Sequence, residues 1–149
     1  MYTSDIKSCG HRFPLTALVY LLAAIFCAVF GAVYELFSHG VYSGFMVYAF
    51  AFPLALGTLP FLLLNLALKG KNSRFLLSLY SWRLPENLYH CGILTCTVGS
   101  LMTGVLDIYG TTNRLTVFYW FAGAVLILAA LLICTIGLLI KKRTSQKRL

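Results

Sequence analysis

Two carboxylates, a histidine and an isolated arginine are the side chains of this sequence best suited to chemistry. Glu35 and Asp107 each lie at the end of a long apolar stretch, and His39 follows Glu35 by four residues, on the same face if a helix extends that far. Ionisable groups that converge at one end of membrane helices are typical of binding sites, so we predict a shallow pocket for a cation or small polar solute. Its candidate ligands are Glu35, His39, Tyr42, Asp107, Asn113 and Arg114.

Two other interpretations of these residues stay open. In the simpler one, Glu35 or Asp107 pairs with Arg114 and the group only holds the loops together. In the other, Glu35, His39 and Asp107 ligate a metal ion, although three residues at such loose spacing are a weak indication of a metal site. The sequence contains no Cys-x-x-Cys pair, nucleophile motif or phosphate-binding loop. We therefore predict no metal, no cofactor and no catalytic residue.

The elements that position these side chains are predicted to be membrane-spanning helices. Apolar residues make up 60% of the chain and charged residues only 11%, whereas a soluble domain carries about 25% charged residues. A helix needs about 20 apolar residues to cross a bilayer, and four charge-poor stretches meet that requirement. The prediction is an all-α, integral membrane four-helix bundle, a single domain over residues 1–149. Its spans lie at about 14–35, 42–66, 88–108 and 115–140.

The distribution of Lys and Arg predicts the orientation of the spans. Arg114 is the only basic residue in the first and third connections, and the other eleven of the twelve lie in the two tails and the middle connection. Basic residues concentrate on the cytoplasmic side, so both termini and the loop 69–87 are predicted to be cytoplasmic, in a plasma or inner cell membrane. Apolar residues at helical spacing predict an interfacial helix over 74–83 of that loop. The basic flanks indicate contact with anionic lipid headgroups and no nucleic acid partner.

Small residues and prolines predict how the spans pack. Small residues spaced by four let helices approach closely, so the third span is predicted to be central and the first to be its partner, while the fourth faces lipid. The second span contains two prolines and a glycine, which predict a bend, either as a packing kink or as a broken helix lining a site. The packing residues are Ala23, Cys27, Gly31, Cys96, Ser100 and Gly104, and the kink residues are Pro53, Gly57 and Pro60.

Three classes of function are compatible with this architecture. The first, which the sequence favours, is a non-catalytic accessory or interaction subunit of a membrane complex, with a membrane-protein partner or a second copy of itself. It predicts a small-residue face on the central helix that is exposed in the monomer. The second is a small oligomeric transporter or channel that binds its solute at the Glu35, His39 and Asp107 cluster, and it predicts polar residues through the membrane. The third is a membrane-embedded enzyme, which no motif supports.

Overall fold

The computed structural model describes residues 3–38, 40–68 and 83–146, with side-chain burial for 14–38, 40–66, 84–137 and 139–140. The described ranges are helical and contain no strand, which confirms the all-helical prediction for them. In chain order the elements are α1 (Thr3–Phe37), α2 (Gly44–Val47), a π-helix (Pro53–Thr58), α3 (Leu59–Leu68), α4 (Arg83–Ile108) and α5 (Thr116–Gln146).

Three of these helices contain a stretch that is long and apolar enough to cross a membrane. The stretches are Pro14–Phe37, Leu84–Ile108 and Thr116–Gly137, of 24, 25 and 22 residues. At about 1.5 Å per residue they are about 33–38 Å long, which exceeds the roughly 30 Å of a bilayer core. Their length and composition are consistent with a membrane protein.

The helix boundaries differ from the predicted spans at several ends. α4 begins at Arg83, five residues before the predicted third span, and Pro85 lies in its first turn, where a missing N–H costs little. α1 begins at Thr3 and α5 continues to Gln146. The predicted interfacial helix at 74–83 lies outside the described residues, except for Arg83.

The second predicted span, in which a bend was expected at Pro53, Gly57 and Pro60, does not form one continuous α-helix. α2 has only four residues and is followed by a turn, a π-helix and α3, and we call residues 43–68 the broken segment. Pro53 begins the π-helix and Gly57 lies within it. Because Pro53 and Pro60 have no N–H, two bonds of a regular helix are missing within seven residues. The π-helix instead bonds five residues back, as from the Leu59 N–H to the Leu54 carbonyl.

The elements pack in a row that starts with α1 and ends with α5. α1 packs on the broken segment, the broken segment packs on α4, and α4 packs on α5. In the described part of the chain no extensive contact joins α1 to α5, so a closed four-helix bundle is not observed. Within the most apolar 18 residues of each helix, 39% are buried in α4 against 11% in α5, which makes α4 the more central helix.

Small residues are the points of closest approach between the elements. An added Cβ at Gly123 of α5 would overlap Cys96 of α4, so Cys96 faces α5. Gly104, on another face of α4, lies against the backbone of Met46 in α2, and Gly31 of α1 lies against Met46 as well. The small residues of α1 therefore face the broken segment, with Cys27 buried and Ala23 partly exposed. The small residues of α4 contact two different elements, since Cys96 contacts α5 and Gly104 contacts α2.

Candidate functional site

Asp107 is held in place at the end of α4 by a serine from the broken segment. Ser43 lies in extended backbone just before α2 and is only 2% exposed. Its hydroxyl donates to Oδ2 of Asp107 at 2.9 Å. The other carboxylate oxygen, Oδ1, accepts no hydrogen bond from the residues that the structure describes, and Asp107 itself is exposed. We call this end of the molecule the Asp107 end.

The turn that carries Ser43 is fixed against α4 by two further contacts. Ser100 of α4 is buried, and its hydroxyl donates to the carbonyl of Phe45 at 2.7 Å. One turn later, Gly104 allows the backbone of Met46 to lie directly against α4. The hydroxyl at 100 and the missing side chain at 104 therefore set the position of α2, and with it the bond between Ser43 and Asp107.

A cavity of about 710 Å³ opens beside Asp107. Aromatic rings form much of its wall, and the ring of Trp120 in α5 lies beside two of the others. The Trp120 ring centroid lies 5.3 Å from that of Phe52 and 6.0 Å from that of Phe45, with interplanar angles of 59° and 56°. The tilted rings present both faces and edges around the cavity. The lining residues are Tyr42, Ser43, Gly44, Phe45, Tyr48, Phe52, Ser100, Asp107, Gly110, Thr111, Thr112 and Trp120.

The structure brings only part of the predicted pocket together. Tyr42 and Asp107 line the cavity, whereas Glu35 does not. The Oε1 atom of Glu35 is buried and has no hydrogen-bond partner among the described residues. His39 lies outside the described residues, and within them no three His, Cys, Asp or Glu side chains are grouped as a metal site.

Asn113 and Arg114, the two loop residues that were predicted to line the pocket, do not line the cavity. Asn113 caps α5: its Oδ1 accepts the Leu115 N–H at 3.0 Å, and its carbonyl accepts the Thr116 hydroxyl at 2.8 Å. Arg114 is exposed and does not line the cavity. Across the described ranges it forms no ion pair with Asp107 or Glu35, so the predicted pairing that would neutralise these acids is not formed.

A second and smaller cavity lies between α1 and the end of α4. It measures about 410 Å³ and is bordered by Tyr34 and Phe37 on one side and by Ile108 and Tyr109 on the other. Tyr34 of α1 and Tyr109, the residue that follows α4, both line this cavity. The cavity therefore lies where α1 meets the end of α4 at the Asp107 end.

A polar cluster at the opposite end, which we call the His90 end, is not apparent from the sequence. The hydroxyl of Tyr20 in α1 lies 2.5 Å from Nδ1 of His90 in α4, and Nε2 of His90 lies 3.7 Å from Glu86. A neutral His90 with its hydrogen on Nε2, facing the carboxylate, accepts the Tyr20 hydroxyl at Nδ1. Phe61 of α3 stacks on the imidazole with centroids 5.4 Å apart. The cluster therefore joins three elements.

Tyr89 at the His90 end compensates for the break in the second span. In a regular helix the Leu56 carbonyl accepts the N–H of residue 60, but Pro60 has none. The hydroxyl of Tyr89 donates to that carbonyl instead, at 2.7 Å. Gly57 makes room for the neighbouring Tyr20 ring, which an added Cβ would overlap. The irregular backbone thus depends on side chains from α1 and α4.

Two further hydroxyls are buried between the two ends, one on α4 and one in the broken segment. Thr97 lies on the same stripe of α4 as Ser100, and Thr58 lies in the π-helix. Thr97 donates to the Ile93 carbonyl at 2.8 Å and Thr58 to the Pro53 carbonyl at 3.4 Å. We call Ser43, Ser100, Thr97 and Thr58 the polar seam. Thr97 and Thr58 each donate within their own helix, so the polar seam is a set of separate buried hydroxyls in an otherwise apolar region.

The chain matches no protein-family model, and no curated protein or solved structure resembles it at a significant level. Its function has therefore to be argued from the site.

Proposed function

We propose that this chain is a multi-pass membrane protein that crosses the bilayer four times, with both termini cytoplasmic. The broken segment runs from Ser43 at the Asp107 end to Phe61 at the His90 end, so it supports a crossing despite its irregular backbone. Eleven of the twelve Lys and Arg residues lie at the tails or between 69 and 83. In this orientation the Asp107 end faces outward, and the membrane is the plasma or inner cell membrane.

We propose further that the protein binds a small cation in the cavity at the Asp107 end, as a small transporter or channel. The observation that carries this proposal is the carboxylate of Asp107, which lines the cavity with one oxygen that accepts no hydrogen bond from the described residues. A carboxylate near a membrane boundary is costly unless it has a partner, and no Lys or Arg is among the described residues that line this cavity. The polar seam supplies buried hydroxyl side chains, and the π-helix supplies irregular backbone. Both features are typical of helices that line a transport site.

The arrangement of small residues is the reason for preferring this function to an accessory role. An accessory subunit was expected to expose the small-residue face of its central helix. Cys96 and Ser100 are instead buried, and Gly104 lies against Met46 within the same chain. Four helices leave little room for a pore, so the proposal includes assembly of several copies.

An accessory or interaction subunit is the second candidate function. The observation that favours it is the position of α5, which packs on α4 and has 11% of its most apolar 18 residues buried. Both candidates are non-catalytic. Among the described residues, the cavity lining contains one carboxylate and no histidine, cysteine or lysine to act as its partner in catalysis.

The test of the proposed function is charge movement in proteoliposomes that contain the full chain. Concentration jumps of sodium, potassium or tetramethylammonium chloride on a solid-supported membrane are expected to give a saturable charge displacement for at least one cation. Asp107→Asn is expected to abolish it, and Asp107→Glu, which keeps the charge, to retain part of it. If no cation displaces charge in the wild-type protein, the proposed function is wrong. A stoichiometric membrane partner in mild detergent would then favour the accessory role.

A further inference from the structure

We propose that the ligand of the cavity at the Asp107 end is an organic ammonium group rather than an inorganic cation. This proposal rests on the proposed function, because it names the class of cation that the same cavity takes. Two features of the cavity carry it: the single carboxylate, and the kind of surface that surrounds that carboxylate.

The carboxylate supplies one negative charge and little further coordination. Oδ2 of Asp107 already accepts the Ser43 hydroxyl, so Oδ1 is the oxygen left for a ligand. A divalent ion such as calcium takes six to eight oxygen ligands, and magnesium takes six in a rigid octahedron. Beyond Asp107, the polar groups of the described lining residues are hydroxyls and the indole N–H of Trp120, with no second carboxylate among them. The site therefore suits a cation that needs a charge but few oxygen ligands.

The aromatic walls supply what such a cation needs. Five rings line the cavity, and the Trp120 ring lies 6.0 Å from that of Phe45 and 5.3 Å from that of Phe52, tilted by 56° and 59°. Ring faces attract an alkylated ammonium through their electron density, and tryptophan does so best. Such a cation is also weakly hydrated and gains from contact with apolar surface. A carboxylate beside tilted rings is the arrangement that recognises quaternary ammonium groups.

The size and the position of the cavity are compatible with two sources of the ammonium group. A volume of about 710 Å³ falls within the range of small-molecule sites. A free solute with an ammonium group fits that space, and so does the headgroup of a choline or ethanolamine lipid, because the Asp107 end lies at a membrane boundary in the proposed topology. Both sources present the same group to Asp107 and Trp120, and the lipid composition of the assay separates them.

The experiment is a fluorescence titration of the full chain in nanodiscs of phosphatidylglycerol, which contains no ammonium group. Trp82→Phe leaves Trp120 as the only tryptophan, since the chain has two. Tetramethylammonium chloride is expected to change the Trp120 emission saturably, while sodium chloride at the same ionic strength leaves it unchanged. Repeating the titration in phosphatidylcholine identifies the source. A smaller change there indicates that the headgroup occupies the cavity, and an equal change indicates a free solute.

Variants of the lining test whether the signal comes from this cavity. Asp107→Asn keeps an oxygen for Ser43 and is expected to weaken the apparent affinity about tenfold or more. Phe52→Leu is expected to weaken it about threefold. The matched control is Phe121→Leu, whose ring is 71% exposed next to Trp120 and does not line the cavity, and it leaves the affinity unchanged.

The outcomes separate this inference from the proposed function. If tetramethylammonium produces no saturable change in phosphatidylglycerol, or if Asp107→Asn binds as well as wild type, the ammonium ligand is wrong. Should sodium or potassium still displace charge in an Asp107-dependent way, the proposed function stands without it. If neither binding nor charge displacement is found, both are wrong.

Discussion

Replacement of Gly104 by alanine tests how α2 is positioned next to Asp107. A Cβ added at Gly104 would lie 2.8 Å from the backbone nitrogen of Met46 and 2.9 Å from its Cα. Ordinary contacts of a Cβ begin at 3.4 Å, so α2 has to move by about 0.6 Å (3.4 − 2.8). The obstructing atoms belong to the backbone, and no rotation of a side chain relieves the overlap.

Two opposing effects determine how much Gly104→Ala changes the free energy of unfolding. In an unobstructed helix, alanine is more stable than glycine by about 0.5–1 kcal/mol. Overpacking at a tight contact costs about 1–3 kcal/mol. A shift of α2 also lengthens the bond from Ser100 to the Phe45 carbonyl, which measures 2.7 Å. We therefore expect a net loss of about 1–2 kcal/mol in the free energy of unfolding, opposite in sign to the helix propensity.

The assay for Gly104→Ala is equilibrium unfolding in mixed micelles, followed by circular dichroism as the fraction of SDS rises. Gly44→Ala is the matched control, because Gly44 begins α2 and an added Cβ there has no atom within 4 Å. We expect this control to change stability by less than about 0.5 kcal/mol. If Gly104→Ala is as stable as wild type, or more stable, the close packing of α2 on α4 is refuted.

Three further substitutions test the remaining contacts by the same unfolding assay. Tyr20→Phe removes the hydroxyl next to His90 and is expected to cost about 0.5–1.5 kcal/mol; no loss would mean that the bond does not form. Tyr89→Phe leaves the Leu56 carbonyl without the donor that replaces Pro60, and we expect a larger loss of about 1–3 kcal/mol. Equal losses for the two tyrosines would argue against the special role of Tyr89. Arg114→Gln is expected to change stability by less than about 0.5 kcal/mol, because this arginine pairs with neither acid, and a loss above 1 kcal/mol would restore the ion-pair interpretation.

The long helices are predictable from the sequence because they depend on local composition. The absence of charge between Arg12 and Glu35 is enough to predict a helix that the structure extends to Phe37. The broken segment is only partly predictable. Pro53 and Pro60 indicate which N–H groups are missing. Which donor satisfies the Leu56 carbonyl depends on Tyr89, which lies 33 residues away and is brought close only by packing.

The sequence predicts the charged residue of the candidate site but not the aromatic residues that line it. Asp107 stands out because acids are scarce in this chain, with four in 149 residues. Phe45, Phe52 and Trp120 come from different elements and are indistinguishable in sequence from rings that face lipid. Glu35 was assigned to the same site because it borders a span, but its position on α1 leaves it outside the cavity. A position near the membrane end of a span thus identifies site residues less well than the tertiary contacts made by the turn at Ser43.

The sidedness of three cysteines tests the proposed topology most directly. In a background without the five native cysteines, Ser73→Cys, Thr112→Cys and Ser145→Cys are introduced singly and treated with a membrane-impermeant maleimide in intact cells. We predict that the cysteine at 112 reacts from outside, while those at 73 and 145 react only after the membrane is permeabilised. A cysteine at 73 that reacts together with the one at 112 would mean that α4, which lies between them, does not cross the bilayer, and Asp107 would then have no defined outer end.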